Sequence, residues 1–290
     1  MIVSEKIKKI EDKWLHVILP YIKDVFKDKW LPSHDHFHSI RTWNYAKELI
    51  TSYTRNTQHI DIISIENLLI ALLFHDTGMS ISYDSKHGKI SRGICEEFFK
   101  TKCPTKPEEL NHILDAIEHH DDKSYRKNIF KKAIEKLDTL PFLCVADDLD
   151  SFGIFGIFRY WEIYVLRDYP RQNIPHKVLF SQDSRFNHFN SQFSNYNDLV
   201  NFHQKRYHRT RLFYSDLLHD IKIDTNTLTN PNTIKIVNLL DKLIIQDMIS
   251  PERILPHIQS LNESQEILEF FSEFVYEYNN IGKRVGNLLT

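Results

Sequence analysis

The dipeptide His-Asp occurs four times in this chain, as His34-Asp35, His75-Asp76, His120-Asp121 and His219-Asp220. An imidazole beside a carboxylate can hold a transition-metal ion, so the surroundings of each pair decide its reading. Only His75-Asp76 closes an unbroken apolar run, Leu68 to Phe74, and Thr77-Gly78 follows it. Two such groups at the end of a buried helix are costly to desolvate unless a metal or polar partners receive them. The plainer alternative is a helix-terminal histidine with a capping aspartate. Two further segments add donors. His38 opens an amphipathic helix in HDHFHSIR, with Trp43, Ala46, Leu49 and Ile50 turned inward. Asp147 follows the apolar stretch Leu143 to Ala146 in CVADDLDSFGIFGIFR. Carboxylates seldom sit against such a run unless paired or metal-bound. Imidazoles mixed with carboxylates suit Mn, Fe, Zn, Ni or Co better than Ca or Mg.

The order His38, His75-Asp76, Asp147 resembles the H…HD…D signature of HD-superfamily phosphohydrolases. HSIR is similar to the family's H-x-x-R opening, and FHDTG to its HD-x-G segment. ADDLDSFGIFGIFR resembles the last motif of a bacterial subgroup, A-D-x-L-D-x-x-G-x-x-G-x-x-R, in which Asp147 rather than Asp148 takes the metal-binding place and Asp150 the second aspartate. The resemblance covers roughly residues 30–165.

It implies an all-α HD-domain helical bundle and a divalent transition metal, one or two ions, on His38, His75, Asp76 and Asp147. Several HD families place a second metal on two more histidines, and His87 and His120 fit by order and by their places at helix ends; the alternative is a single metal with both lining the pocket. The implied chemistry is hydrolysis of a phosphate ester by metal-activated water, with Asp76 orienting or deprotonating that water. Arg41, Lys86, Lys89, Arg92 and Arg159 lie in or beside the motifs and are candidate partners for the phosphate. His34, Asp35 and Asp150 are candidates for orienting the ligands by hydrogen bonds, with an N-cap the equal alternative for Asp35.

The expected substrate is a small phosphorylated molecule of the nucleotide class. Two better-known substrates are disfavoured. Thr77-Gly78-Met79-Ser80 stands where alarmone hydrolases carry an acidic pair, and Asp121-Asp122-Lys123 where cyclic-di-GMP phosphodiesterases carry Gly-Tyr-Pro. Two rivals share the donor order: a di-iron oxygenase, and a catalytically silent nucleotide-binding HD module.

Helical periodicity must position these groups. Helices are expected near 4–29, 35–55, 61–76, 87–101, 106–120, 125–149, 153–168, 195–221, 231–248 and 262–281, with Thr105 as a cap and Pro141 as a kink or restart. No run alternates as a strand does. Residues 170–195, rich in Asn, Ser, Gln and His, read as a linker or lid. The expected division is an HD domain over 1–170 and a helical C-terminal extension over 171–290, whose helices at 231–281 are compatible with a homodimer.

The 290 residues are 41% hydrophobic and 26% charged with a net charge of −2. That balance gives no global attraction to nucleic acid or to an anionic membrane, and neither is expected as a partner. Cys95, Cys103 and Cys144 follow no metal or disulfide spacing, so reduced, buried thiols and a cytoplasmic location are expected. No signal peptide is read at the N-terminus, whose lysines interleave with Ile7, Ile10, Trp14 and Ile18 at amphipathic spacing.

Overall fold

The computed structural model describes residues 2–55, 60–84, 86–122, 137–224, 231–246 and 250–280. Among the described residues the regular structure is helical, with no strand. The helices are α1 (Val3–Val25), α2 (His36–Thr54), α3 (Ile62–Phe74), α4 (His87–Thr101), α5 (Leu110–His119), α6 (Thr139–Asp150), α7 (Gly153–Leu166), α8 (Ile174–Phe193), α9 (Asn197–Asp224), α10 (Asn232–Asp241), α11 (Pro251–Ser260) and α12 (Gln265–Asn280). The chain divides into two compact units. Of the described residues, the first holds those of 2–149 and 188–200, the second those of 150–187 and 201–280. The 170/171 boundary expected from the sequence lies inside the second unit.

In the first unit α3 is the central element, packed against α1, α2, α4 and α5. It is buried all round from Ile65 to Phe74, which is why its sequence shows an apolar run rather than a stripe. The window Ile62–Ser80 is long and apolar enough to cross a membrane by length and composition, but 83% of it is buried inside the protein, as in a core helix. Helix α1 lays Ile7, Ile10, Trp14, Ile18 and Ile22 on α3 at the spacing the sequence foretold. Trp14 meets Phe99 edge to face and donates its indole N–H to Glu66, which also takes the Lys13 ammonium, so this buried carboxylate is paired. Cys95, Cys103 and Cys144 are free and buried.

The second unit closes around Ile154, Phe155, Phe158 and Trp161 of α7, packed with residues of α9 to α12. Its α7 begins at Gly153, and the Glu277 carboxylate accepts from the first amides, Ile154 N–H and Phe155 N–H. A negative charge satisfies the orphan donors of a helix N-terminus and complements its dipole. Arg206 holds that carboxylate in turn and donates to the Phe152 carbonyl.

Several expectations are corrected. Residues 174–193 form a regular helix rather than a linker. Its buried positions, Ile174, Val178, Phe189 and Phe193, keep helical spacing but are diluted by polar residues, one of which, the buried Gln182, donates to the Ser151 carbonyl. Helix α11 went unread because Pro251 and Pro256 look like breakers; Pro251 occupies the first turn, where proline is tolerated. The 106–120 helix begins only at Leu110, with Glu109 at its cap, and the Thr105 carbonyl accepts from the Cys103 thiol. Pro141 lies in the first turn of α6, consistent with a restart; the expected helix over 125–136 lies outside the described residues. Helix α10 gives way to a π-type turn over Lys242–Gln246.

Candidate metal centre

Five helix ends converge in the first unit. His38 is in the first turn of α2, whose N-cap is Asp35, with its carboxylate accepting from Phe37 N–H. His75 caps the C-terminus of α3, and Asp76 follows it. His87 opens α4, His120 caps the end of α5, and Asp147 lies in the last turns of α6. These elements are held close by two glycines. A Cβ on Gly78 would stand 2.1 Å from the His87 carbonyl, and one on Gly88 would stand 2.7 Å from the Glu118 carbonyl. Gly78 therefore lets the chain after Asp76 lie against α4, and Gly88 lets α4 lie against α5. Gly93, by contrast, faces open space.

Two donor groups result: His38, His75, Asp76 and Asp147, and Asp76, His87 and His120. In the first, His38 Nε2 is 3.2 Å from His75 Nε2, 3.2 Å from Asp76 Oδ2 and 3.3 Å from Asp147 Oδ1. In the second, His87 Nε2 and His120 Nε2 are 3.2 Å apart and each 3.2 Å from Asp76 Oδ1. Asp76 thus turns one oxygen to each group.

These groups fit a cation. With metal–ligand distances of about 2.0–2.2 Å, neighbouring donors around one ion stand roughly 3.0–3.5 Å apart. The imidazoles also present the right atom. His75 Nδ1 lies 2.8 Å from the Leu72 carbonyl, His87 Nδ1 2.7 Å from the Asp84 carbonyl and His120 Nδ1 2.7 Å from the Ile117 carbonyl. A carbonyl can only accept, so each Nδ1 carries a proton and Nε2 is the atom turned to the cluster, where it either meets a cation or carries a proton of its own. Buried lone pairs facing one another at 3.2 Å call for a positive charge between them.

The protonation energetics express the same demand. Burial lowers the His75 pKa, keeping that imidazole in its neutral, ligating form. Burial opposes charge on Asp76, yet the imidazoles of His75, His120, His38 and His87 around it hold its carboxyl well below the usual carboxylate range. Burial also works against a charged His87, but the Asp76 carboxylate overrides it and pushes His87 up to about 9.

The other residues singled out by the sequence fall in different places. Asp35 is an N-cap, its carboxyl raised by burial in spite of Arg41 and His36. His34 Nδ1 bonds the Ser33 hydroxyl, and its ring lies 5.6 Å from that of His38. Arg41 is buried and donates to the Ser33 carbonyl. Arg92 pairs with Asp115 and Glu118 of α5, binding α4 to α5 instead of facing the cluster. In the second unit Arg159 pairs with Asp150 at 2.9 Å, both buried. Lys86 and Lys89 are exposed on the first turn of α4, beside His87. One residue escaped the sequence reading: Asp121 Oδ2 lies 3.9 Å from His87 Nδ1, and its only sequence signal is adjacency to His120. Of the first donor group, Asp147 has the most exposed side chain, at 18%, so the cluster meets solvent on the α6 side.

Residues 36–152 match the family model of the HD domain. No curated protein and no solved structure matches the chain.

Proposed function

We propose that this HD-domain chain is a metal-dependent phosphohydrolase that cleaves a phosphate ester, of small-nucleotide class, with water as the nucleophile. HD domains are mostly metal-dependent phosphohydrolases, which supports the reaction class. The observation that carries the reading is the division of Asp76 between two histidine-containing groups, Oδ2 toward His38 and Oδ1 toward His87 and His120. A carboxylate so divided could serve two cations at once, which would supply charge stabilisation to an attacking and a leaving oxygen.

The bound metals would acidify a water and polarise a phosphoryl oxygen. The chain's own residues do the rest. Asp76 turns one oxygen to each group and would be a ligand shared by both, a place from which it could also orient the water as expected from the sequence. Asp147, at the exposed side of its group, is the carboxylate best placed to orient the incoming water. The carbonyls of Leu72, Asp84 and Ile117 fix three imidazoles so that each turns Nε2 to the cluster. Lys86 and Lys89, exposed beside His87, would steer a phosphate toward the cluster. Arg92 and Arg159 are left out of substrate binding because their guanidinium groups serve carboxylates.

The same bridged set also suits a di-iron oxygenase, since Asp76 would serve two irons equally well. The deciding experiment is elemental analysis of protein purified without chelator, joined to phosphatase assays on nucleotide monophosphates with Mn2+, Ni2+ or Co2+. About two metal equivalents with metal-dependent phosphate release, both lost in Asp76→Ala, is the expected result. Two irons with no phosphate release from any ester would transfer the assignment to the oxygenase.

A further inference from the structure

The first unit contains a second cavity, of about 580 Å3, at the opposite ends of the helices that build the metal centre. Its lining includes Asp61 and Ser64 at the start of α3, Glu109 and His112 at the start of α5, and Asp138 just before α6, whereas His75, His120 and Asp147 stand at the far ends of those helices. The volume lies in the range of small-molecule sites, which are about 300–1,000 Å3.

The lining is acidic. Asp61, Glu109 and Asp138 contribute three carboxylates, and among the described lining residues there is no lysine or arginine. The Lys6 ammonium is held on the carbonyl of the lining residue Ile60. His112 stands 3.6 Å from Asp138. A phosphate or carboxylate ligand would meet like charge here, so this is no annex for the phosphorylated substrate.

A second observation points to a ligand that donates hydrogen bonds. Asn67 lines the cavity and is 1% exposed; its amide N–H binds Glu109, and its Oδ1 has no hydrogen-bond partner. A buried amide oxygen without a donor costs about 1–3 kcal/mol, which an incoming N–H would relieve. A bare metal ion fits poorly. The close donor groups among the described residues are the two of the metal centre, and the carboxylates of this cavity do not form a third. Their charge is spread, as several ammonium groups along one chain would require.

We propose that this cavity is a binding site for a linear diamine or polyamine, its ammonium groups on Asp61, Glu109 and Asp138 and an N–H on Asn67 Oδ1. Each contact is a charge-assisted hydrogen bond or a donor to a buried acceptor, and Tyr53, Ile60 and Leu137 offer apolar surface to the methylene chain between the ammonium groups.

The test is a calorimetric titration of the full chain, its metal centre saturated with Mn2+, with spermidine at near-physiological salt. The same titration is run on Asp138→Asn and Glu109→Gln. Saturable binding near one equivalent, weakened about tenfold or more in each variant, is expected for the loss of one charged contact. Asp138 is half-exposed, so its substitution leaves the packing intact. Hydrogen exchange gives a second readout, with spermidine protecting the first turns of α3 and α5. No saturable binding, binding equal in all three proteins, or displacement of spermidine by stoichiometric Mg2+ would each overturn the proposal. None of these results bears on hydrolysis at the metal centre.

Discussion

His87 and His120 are 33 residues apart in sequence, yet their Nε2 atoms lie 3.2 Å from each other and equally far from Asp76 Oδ1. Asp76 is the donor they share with the His38 group, and His120 also meets the His75 ring edge to face at 5.0 Å between centroids. If each group holds its own ion, His87→Ala and His120→Ala should each lower bound Mn2+ from about two equivalents to about one while the first ion stays. Elemental analysis after gel filtration checks this. Two equivalents retained in both variants would show that these imidazoles do not ligate.

The Asp35 carboxylate accepts from Phe37 N–H, which makes it a helix cap before anything else. Asp35→Ala should cost about 1 kcal/mol of stability. Metal content should be unchanged. Denaturant titration and elemental analysis on the same sample separate the two roles, because a ligand-orienting Asp35 would lower metal affinity as well.

Much of this centre was legible in the chain. His75, Asp76 and Asp147 each end an apolar stretch, and a charged group in that position has few structural excuses. His87 and His120 carried no such mark; their order and their places at helix ends singled them out. The two-sided use of Asp76 was not legible, because it depends on a side-chain rotation that spacing does not encode. Arg92 and Arg159 looked available for phosphate since their partners, Asp115, Glu118 and Asp150, are set by packing of whole helices. Helix α8 was hidden because Asn, Ser and Gln interrupt its apolar stripe, and these residues favour turns when nothing tertiary holds them.

In the second unit, the buried Arg159–Asp150 pair should be a point of high sensitivity. Arg159→Met removes the cation paired with the Asp150 carboxylate and should destabilise by about 3–5 kcal/mol. Asp150→Asn added to that variant should recover a large part of the loss. Chemical denaturation of the wild type, the two single variants and the double variant tests the coupling, and additive losses would refute it.

Burial pushes the Tyr164 phenol from 10.0 up to about 12. The folded chain therefore keeps a proton that the unfolded chain releases first. The contribution is fully present below pH 10 and is lost as pH rises through about 12. Tyr164→Phe should flatten the fall of the thermal midpoint across this window. A midpoint that falls as steeply in the variant would assign the alkaline sensitivity to other groups, such as Tyr214, which burial also raises.

Three of the histidines take their tautomer from a carbonyl three residues upstream, at Leu72, Asp84 and Ile117. Ligand competence is thus a property of a single helical turn and not of the assembled bundle. Fraying the last turn of α3 or α5 frees Nδ1 from its acceptor and lets the proton move to Nε2, which silences the ligand without moving it out of the core. Metal affinity in this protein should then act as a gauge of helix-end order, falling ahead of global unfolding whenever heat or cosolvent loosens those turns. A bound metal ion acts in the opposite direction, as a clasp that keeps them wound.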